Sequence, residues 1–199
     1  LIGHPEFFDD FCHGVITFEG EEPMHRLLSA LKADDSLSTV PNLLHLDGRE
    51  VVQNKERVEL RFEELPHPDF DGLPMDKYLS PYPILPVLQS RGCYWGKCTF
   101  CTHSFVYGHR YGKQKTQAMV DELEKLMKKY NTKYFTFSDE AVSPHSLNDV
   151  SEEMIERGVE IRSLALLKFE KVMDEELFGK MKQAGFIFLM FGLESARSE

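Results

Sequence analysis

Three of the four cysteines lie within nine residues of one another, and they are the strongest chemical signal in the chain. These three are Cys93, Cys98 and Cys101, whereas Cys12 stands alone in an apolar run and is expected to be a small buried residue. Thiols so closely spaced suit a metal centre better than a disulfide pattern, and we expect no export signal. Soft thiolates prefer zinc or an iron–sulfur cluster to hard cations. We therefore predict a metal centre in this loop.

Two kinds of metal centre fit three cysteines. A structural zinc ion takes four ligands, and His103 or His109 would supply the fourth. An iron–sulfur cluster with three protein ligands leaves one iron open to a further ligand. Spacing alone does not separate the two, so the position of the loop in the fold has to decide.

Strands and helices alternate from residue 84 onward, and they must position the cysteine loop. Apolar runs predict strands over 84–89, 134–137, 161–167 and 186–191. Helical spacing predicts a helix in each interval, and the caps and stops of the last two are Ser143, Gly158, Asp174 and Gly185. Short connections between these elements predict parallel strands with right-handed crossovers. We predict an α/β fold with a partial (β/α) barrel, and an ordinary doubly wound sheet is the alternative.

Chemically useful side chains follow the carboxyl end of every predicted strand. These are the cysteine loop after the first strand, Ser138-Asp139-Glu140 after the second, Lys168 after the third and Glu194-Ser195 after the fourth. Parallel α/β folds gather their chemistry at this edge. Residues 91–133 also carry nine basic against three acidic side chains, which favours a site that holds anions over a solvated face. This position favours the cluster, because a structural zinc ion does not need to sit at a functional edge.

The strand-end residues also have a purely structural interpretation. Asp139 and Glu140 would cap the next helix, because acidic side chains favour helix starts, and Glu194 would do the same. Lys168 would be an ordinary surface lysine. The cysteines have no comparable alternative, so they are the main support for a functional site.

Residues from about 83 to 199 resemble the radical S-adenosylmethionine (radical SAM) enzymes. The resemblance rests on the cysteine loop, the Asp139-Glu140 strand end and the run Phe191-Gly192-Leu193-Glu194-Ser195, which occur in the right order. It implies a 4Fe–4S cluster whose open iron chelates the amino and carboxylate groups of S-adenosyl-L-methionine (SAM). It further implies that an electron from the cluster cleaves SAM to methionine and a 5′-deoxyadenosyl radical, which abstracts hydrogen from a substrate.

The resemblance also implies a role for each group of residues. The cluster ligands would be Cys93, Cys98 and Cys101. The cofactor-binding residues would be Phe100 near the adenine, Ser138, Asp139 and Glu140 at the amino group, and Glu194 and Ser195 at the ribose or methionine part. The resemblance assigns no catalytic residue.

The chain departs from the common radical SAM pattern at two places. Four residues, Tyr94-Trp95-Gly96-Lys97, separate the first two cysteines where three are usual. Ser138-Asp139-Glu140 also stands where Gly-Gly-Glu is usual. An acidic partner for the amino group of SAM is kept. The sequence leaves open whether Asp139 or Glu140 is that partner.

The N-terminal part resembles the exit from a cobalamin-binding Rossmann-like domain into a radical SAM barrel. The residues that carry this resemblance are Gly20-Glu21 after a strand, a hairpin at Asp47-Gly48, and the segment 68–78. Six of the ten prolines fall within 66–86 and predict a linker. We therefore expect a Rossmann-like remnant at 1–65, a linker at 66–82 and the N-terminal half of a barrel at 83–199. Most of a cobalamin site would lie upstream of Leu1, so we expect a piece of a longer protein.

Charge and composition limit the function classes. The formal net charge of −10 comes from residues 1–76, which hold 17 acidic and 6 basic side chains. There is no separate basic patch for nucleic acid, and no apolar run approaches the roughly 20 residues of a membrane span. The resemblance implies a reducing cytoplasm, a small-molecule or peptide substrate, and a reducing partner such as flavodoxin or ferredoxin. The alternative function is a binding module stabilised by a Cys3His zinc site.

Overall fold

The computed structural model describes residues 8, 11–58, 62–103 and 110–194, and these form two compact units. The first unit lies within residues 1–61, and the second holds most of residues 62–199. None of the described helices is long and apolar enough to cross a membrane.

In its described part, the first unit contains a small antiparallel sheet and a helix of thirteen residues. Its elements are β1 (Gly14–Ile16), α1 (Glu21–Ala33), β2 (Leu43–Asp47) and β3 (Glu50–Gln53). The strands pair in the order β1-β2-β3. The predicted hairpin is confirmed, and Gly48 adopts φ 63° in its turn, a backbone conformation that suits glycine.

The second unit is built on a parallel sheet. Its elements are β4 (Ile84–Val87), β5 (Ser90–Arg91), β6 (Gly112–Lys113), α2 (Thr116–Tyr130), β7 (Tyr134–Phe137), α3 (Pro144–Arg157), β8 (Arg162–Lys168), α4 (Glu175–Ala184) and β9 (Phe186–Gly192). Four strands pair in parallel in the order β4-β7-β8-β9, and the helices α2, α3 and α4 lie in the three successive crossovers. The predicted alternation of strands and helices is confirmed. The two short strands β5 and β6 form a separate antiparallel ribbon.

The predicted helix starts and stops are also confirmed. Ser143 and Asp174 each accept a hydrogen bond from the backbone N–H three residues further on, which satisfies a donor that the helix start leaves free. Gly158 and Gly185 end α3 and α4 with φ of 68° and 101°, where a side chain would be strained. The caps fix where α3 and α4 begin and end, and the strands β7, β8 and β9 beside these helices end within one residue of the predicted positions.

Helices α2, α3 and α4 share one hydrophobic core with one face of the sheet. The buried strand residues in this core are Leu85, Val87, Phe135, Phe137, Ala165, Leu167 and Phe186. The other face carries Ile84, Phe188 and Met190, which are 51%, 56% and 47% exposed. Among the described residues, helices therefore cover this sheet on one face only.

The proline-rich segment packs on helix α2. Apart from a 3-10 turn at Met75–Lys77, residues 66–82 form no regular helix or strand. Lys129 Nζ lies 2.9 Å from Asp69 Oδ1, and the Tyr130 hydroxyl accepts the Phe70 N–H at 2.8 Å. These contacts hold the segment against the helix that follows the cysteine loop.

Removing the cap of α3 tests how much of its stability is local. Ser143→Ala is expected to lower the free energy of unfolding by about 1 kcal/mol, because a backbone N–H loses its acceptor. Ser143→Asp keeps an acceptor and is expected to retain most of that stability. Urea unfolding followed by the fluorescence of Trp95, the single tryptophan, measures both variants. Equal losses in the two would contradict the capping role.

Candidate functional site

The cysteine loop leaves the sheet through a narrow neck. In the ribbon β5–β6, Ser90 pairs with Lys113 and Arg91 pairs with Gly112, so both ends of the loop are held together. Gly92 adopts φ 81°, and a Cβ atom on it would lie 2.1 Å from the carbonyl oxygen of Arg110. Only glycine fits here. The sequence did not reveal this ribbon, because strands of two residues carry no periodicity.

Asp139 ties the neck to the end of β7. Its side chain is buried, Oδ2 accepts the N–H of Gln89 at 3.1 Å, and Oδ1 accepts the N–H of Ser90 at 2.6 Å. The Ser90 hydroxyl also donates to Oδ1. Burial raises the pKa of Asp139 to about 6 in spite of these hydrogen bonds. Asp139 therefore holds the start of the cysteine loop and does not cap α3, where Ser143 is the cap.

Glu140 differs from its neighbour. Its Oε2 atom is buried and forms no hydrogen bond with any described residue. A buried carboxylate oxygen without a partner is costly, and a cationic or N–H-bearing ligand would satisfy it. Of the two candidate carboxylates, Glu140 is thus the one with a buried oxygen left to bind a ligand, because both oxygens of Asp139 already accept hydrogen bonds from the chain.

The three cysteines of the loop are half-buried and carry free thiols. Among residues 8, 11–58, 62–103 and 110–194, no group of three or more His, Cys, Asp or Glu side chains is arranged to hold one metal ion. The structure therefore does not bring the thiols together around one point, and the metal ligands stay a prediction. Metal–ligand bonds commonly draw such side chains together, because metal binding and local folding are coupled. His103 is exposed, and His109 lies outside the described residues.

Two of the other predicted cofactor-binding residues, Ser138 and Glu194, lie at the same edge of the sheet. Ser138 follows β7 and Glu194 follows β9, and both are exposed. Phe100 is 65% exposed in the cysteine loop. Ser195 lies outside the described residues. The hydrogen bonds from the cysteine-loop neck go to Asp139, and the roles of Ser138, Glu194 and Phe100 stay predictions.

The end of β8 contacts the cysteine loop through Lys168, which the sequence places at this edge, and through Glu170, which the sequence did not single out. The Nζ atom of Lys168 lies 4.1 Å from the centroid of the Trp95 ring, a cation–π contact. The Tyr94 hydroxyl donates a hydrogen bond to Glu170 Oε1. Burial and this carboxylate raise the pKa of Tyr94, so the hydroxyl keeps its proton. The sequence signal that could have pointed to these contacts is the long spacer between Cys93 and Cys98, which contains the aromatic residues Tyr94 and Trp95.

Sequence comparison relates the chain to two curated proteins. It is 29% identical over 186 residues to an uncharacterized methyltransferase of Pyrococcus horikoshii, an alignment that covers 92% of this chain and 40% of that protein. It is 26% identical over 193 residues to the anaerobic magnesium-protoporphyrin IX monomethyl ester cyclase of Cereibacter sphaeroides, with 92% and 31% covered. No protein-family profile matches the chain.

Among the solved structures that share the fold, two have the same TM-score. One is the cobalamin-dependent SAM radical enzyme OxsB with aqua-cobalamin bound, with a TM-score of 0.74, 21% identity, and 98% of this chain and 30% of that chain covered. The other is the radical SAM methyltransferase TsrM from Kitasatospora setae with tryptophan and a SAM analog bound, with a TM-score of 0.74, 19% identity, and 98% and 41% covered. The predicted resemblance to radical SAM enzymes is confirmed.

The match to these radical SAM enzymes covers both units of the chain and only part of the other proteins. The chain spans about 30 to 40% of the length of the relatives and solved structures it matches. Within that span the radical SAM likeness includes the mixed α/β fold with a parallel sheet. The comparison therefore concerns the fold of this part, and the activity of the whole protein is treated below as a proposal.

Proposed function

We propose that this chain is the part of a radical SAM enzyme that holds a 4Fe–4S cluster and SAM. The observation that carries the proposal is that Asp139 binds the start of the cysteine loop, while the adjacent Glu140 keeps a buried oxygen without a partner. The start of the loop that carries the thiols and this carboxylate oxygen therefore belong to the same strand end. The likeness in fold to cobalamin-dependent radical SAM enzymes supports the same interpretation.

The cluster ligands in this proposal are Cys93, Cys98 and Cys101. Three free, half-buried thiols on one loop are the donor set that an iron–sulfur cluster takes. When bound, the cluster supplies the electron that cleaves SAM to methionine and a 5′-deoxyadenosyl radical. The neck at Gly92 holds the two ends of the loop together, so the chain itself limits where the thiols lie.

Glu140 is the proposed partner of the SAM amino group. A carboxylate accepts hydrogen bonds from an ammonium group, and such charge-assisted bonds are stronger than neutral ones. Asp139 positions the loop, Ser138 lies beside both, and Glu194 and Ser195 are proposed for the ribose or methionine part. Phe100 is proposed to lie near the adenine.

The domain assignment follows from the same likeness. We propose that residues 1–65 are the remnant of a cobalamin-binding Rossmann-like domain, 66–82 a linker and 83–199 half of a radical SAM barrel. The sheet face that no described helix covers supports the half-barrel. Cobalamin-dependent methyl transfer to a small molecule or peptide, in a reducing cytoplasm with flavodoxin or ferredoxin as reductant, is the proposed outcome for the whole protein.

Anaerobic reconstitution with iron and sulfide tests the proposal. We expect a brown protein with about four irons and four sulfides per chain, and SAM-dependent release of 5′-deoxyadenosine when a reductant is added to the full-length protein. Stoichiometric zinc that resists chelation, with no iron uptake, would contradict the proposal and favour the Cys3His module.

Exchanging the Glu140 carboxylate tests the amino-group assignment. Glu140→Gln is expected to weaken SAM binding to the iron-loaded chain at least tenfold, because a charge-assisted hydrogen bond is lost. Its iron content is expected to stay unchanged, since glutamate is not a proposed ligand. Glu160→Gln, at an exposed position, is the matched control. Anaerobic calorimetry measures both, and equal SAM affinity in the two variants would rule the assignment out.

A further inference from the structure

The spacer between Cys93 and Cys98 is tied to the end of β8 by a closed circuit of contacts. The Tyr94 hydroxyl donates to Glu170 Oε1, Glu170 Oε1 lies 4.0 Å from Lys168 Nζ, and Lys168 Nζ lies 4.1 Å from the centroid of the Trp95 ring. Two adjacent loop residues thus meet two residues near the same strand end. We call this set of four residues the loop clasp.

Two contacts of the loop clasp add to its strength. The Tyr94 phenol donates a hydrogen bond to a carboxyl oxygen of Glu170, and a carboxylate is a stronger acceptor than a neutral oxygen. The ammonium over the indole ring adds a cation–π contact. The Lys168 and Glu170 side chains are only 33% and 25% exposed, so solvent screens these contacts less than it screens a fully exposed pair.

Tyr94 also links the two limbs of the loop. Its ring packs edge-on against Tyr111, with centroids 6.3 Å apart, and Tyr111 directly precedes β6. Tyr94 therefore contacts both the returning limb of the loop and the end of β8. Because Cys93 precedes Tyr94, its backbone is held between the clasp and the neck at Gly92.

We propose that the loop clasp is a positioning device that holds Cys93 against the end of β8 and so sets where the loop thiols lie relative to Glu140. This inference rests on the proposed function, since the cysteines are cluster ligands only in that proposal. The positioning role also explains the four-residue spacer between Cys93 and Cys98, because its first two residues, Tyr94 and Trp95, contact the end of β8. In this proposal the clasp residues are positioning residues that act through Cys93.

The first experiment measures the clasp without iron. Amide hydrogen exchange of residues 93–101 in the metal-free chain is expected to be about tenfold faster in Tyr94→Phe and in Lys168→Met, since each loses one link of the circuit. Lys168→Arg keeps a cation over the indole ring and is expected to exchange at nearly the rate of the unaltered chain. Tyr134→Phe, a hydroxyl removed at the opposite end of the sheet, is the control. Unchanged exchange in both Tyr94→Phe and Lys168→Met overturns the proposal.

The second experiment measures the consequence for the loaded chain. Tyr94→Phe and Lys168→Met keep all three cysteines and are expected to take up iron fully. Their affinity for SAM is expected to fall about tenfold, and the change in the electron paramagnetic resonance spectrum of the reduced cluster on adding SAM is expected to shrink, with recovery in Lys168→Arg. Normal iron content with an unaltered spectrum and SAM affinity overturns the positioning role and leaves the proposed function standing. If the unaltered chain takes up no iron, the proposed function fails, and the exchange experiment alone decides whether the clasp exists.

Discussion

Replacing Cys98 with serine is expected to abolish the uptake of iron and sulfide, whereas Cys12→Ser is expected to leave it unchanged. Cys98 lies between the other two cysteines of the loop, and its loss leaves only two thiolates for a cluster that needs at least three. A serine hydroxyl is a hard, protonated ligand that replaces a soft thiolate poorly. Cys12 stands alone and supplies no such set. Iron and sulfide per chain after anaerobic reconstitution measure both variants.

Two outcomes would contradict this expectation. A Cys12→Ser variant that loses as much iron as Cys98→Ser would mean that the isolated cysteine is also an iron ligand. A Cys98→Ser variant that keeps its full iron content would mean that iron is bound elsewhere. The urea unfolding of both variants without metal is the control, because a misfolded chain would also lose its iron.

Replacing Asp139 with alanine is expected to cost about 3 to 5 kcal/mol of the free energy of unfolding at pH 5. The substitution leaves the N–H groups of Gln89 and Ser90 and the Ser90 hydroxyl without their acceptor, and both residues are almost fully buried. Each buried donor without a partner costs about 1 to 3 kcal/mol. Urea unfolding followed by Trp95 fluorescence measures the loss. The exposed Asp76→Ala is the control, and a loss equal to that of the control would contradict the role of Asp139 as an anchor.

The same carboxylate predicts a pH dependence. Burial raises the pKa of Asp139 to about 6 in the folded chain, above its ordinary value of 3.8, so the folded state holds this proton more tightly than the unfolded state. Its contribution to stability is therefore fully present below about pH 4 and is lost as the pH rises through 6. We expect the stability difference between the unaltered chain and Asp139→Ala to narrow by about 2 to 3 kcal/mol between pH 4 and pH 8. A difference that stays constant over this range would show that the carboxylate titrates normally.

Local signals predicted most of the parallel-sheet unit. The strand over 134–137 has the predicted bounds, and Ser143, Gly158, Asp174 and Gly185 start and stop their helices as predicted. Strand β4 ends at Val87, two residues before the prediction, because Asp139 binds the N–H groups of the residues that follow. Caps and apolar periodicity act over a few residues, so sequence reveals them. A hydrogen bond across about fifty residues has no such local pattern.

The sequence predicted where the candidate site lies in the fold, but it did not predict which of its residues contact one another. The loop cysteines and the acidic pair lie at the carboxyl edge of the sheet, as the parallel topology required. Asp139 and Glu140 differ in role because Asp139 accepts the hydrogen bond from Ser90. Only the folded chain shows this contact. The contact of Lys168 with Trp95 likewise depends on how the loop folds back over β8, a path that spacing alone does not encode.

The uncovered face of the parallel sheet has a practical consequence for handling this chain. Ile84, Phe188 and Met190 present apolar side chains to water, and β9 pairs on one side only among the described strands. Exposed apolar patches and unpaired strand edges are the usual starting points of aggregation. We therefore expect the colloidal stability of the isolated chain to fall steeply with concentration and with added sulfate. Light scattering measured as a function of protein concentration will show up to which concentration the chain stays unaggregated. Binding constants can be measured below that concentration.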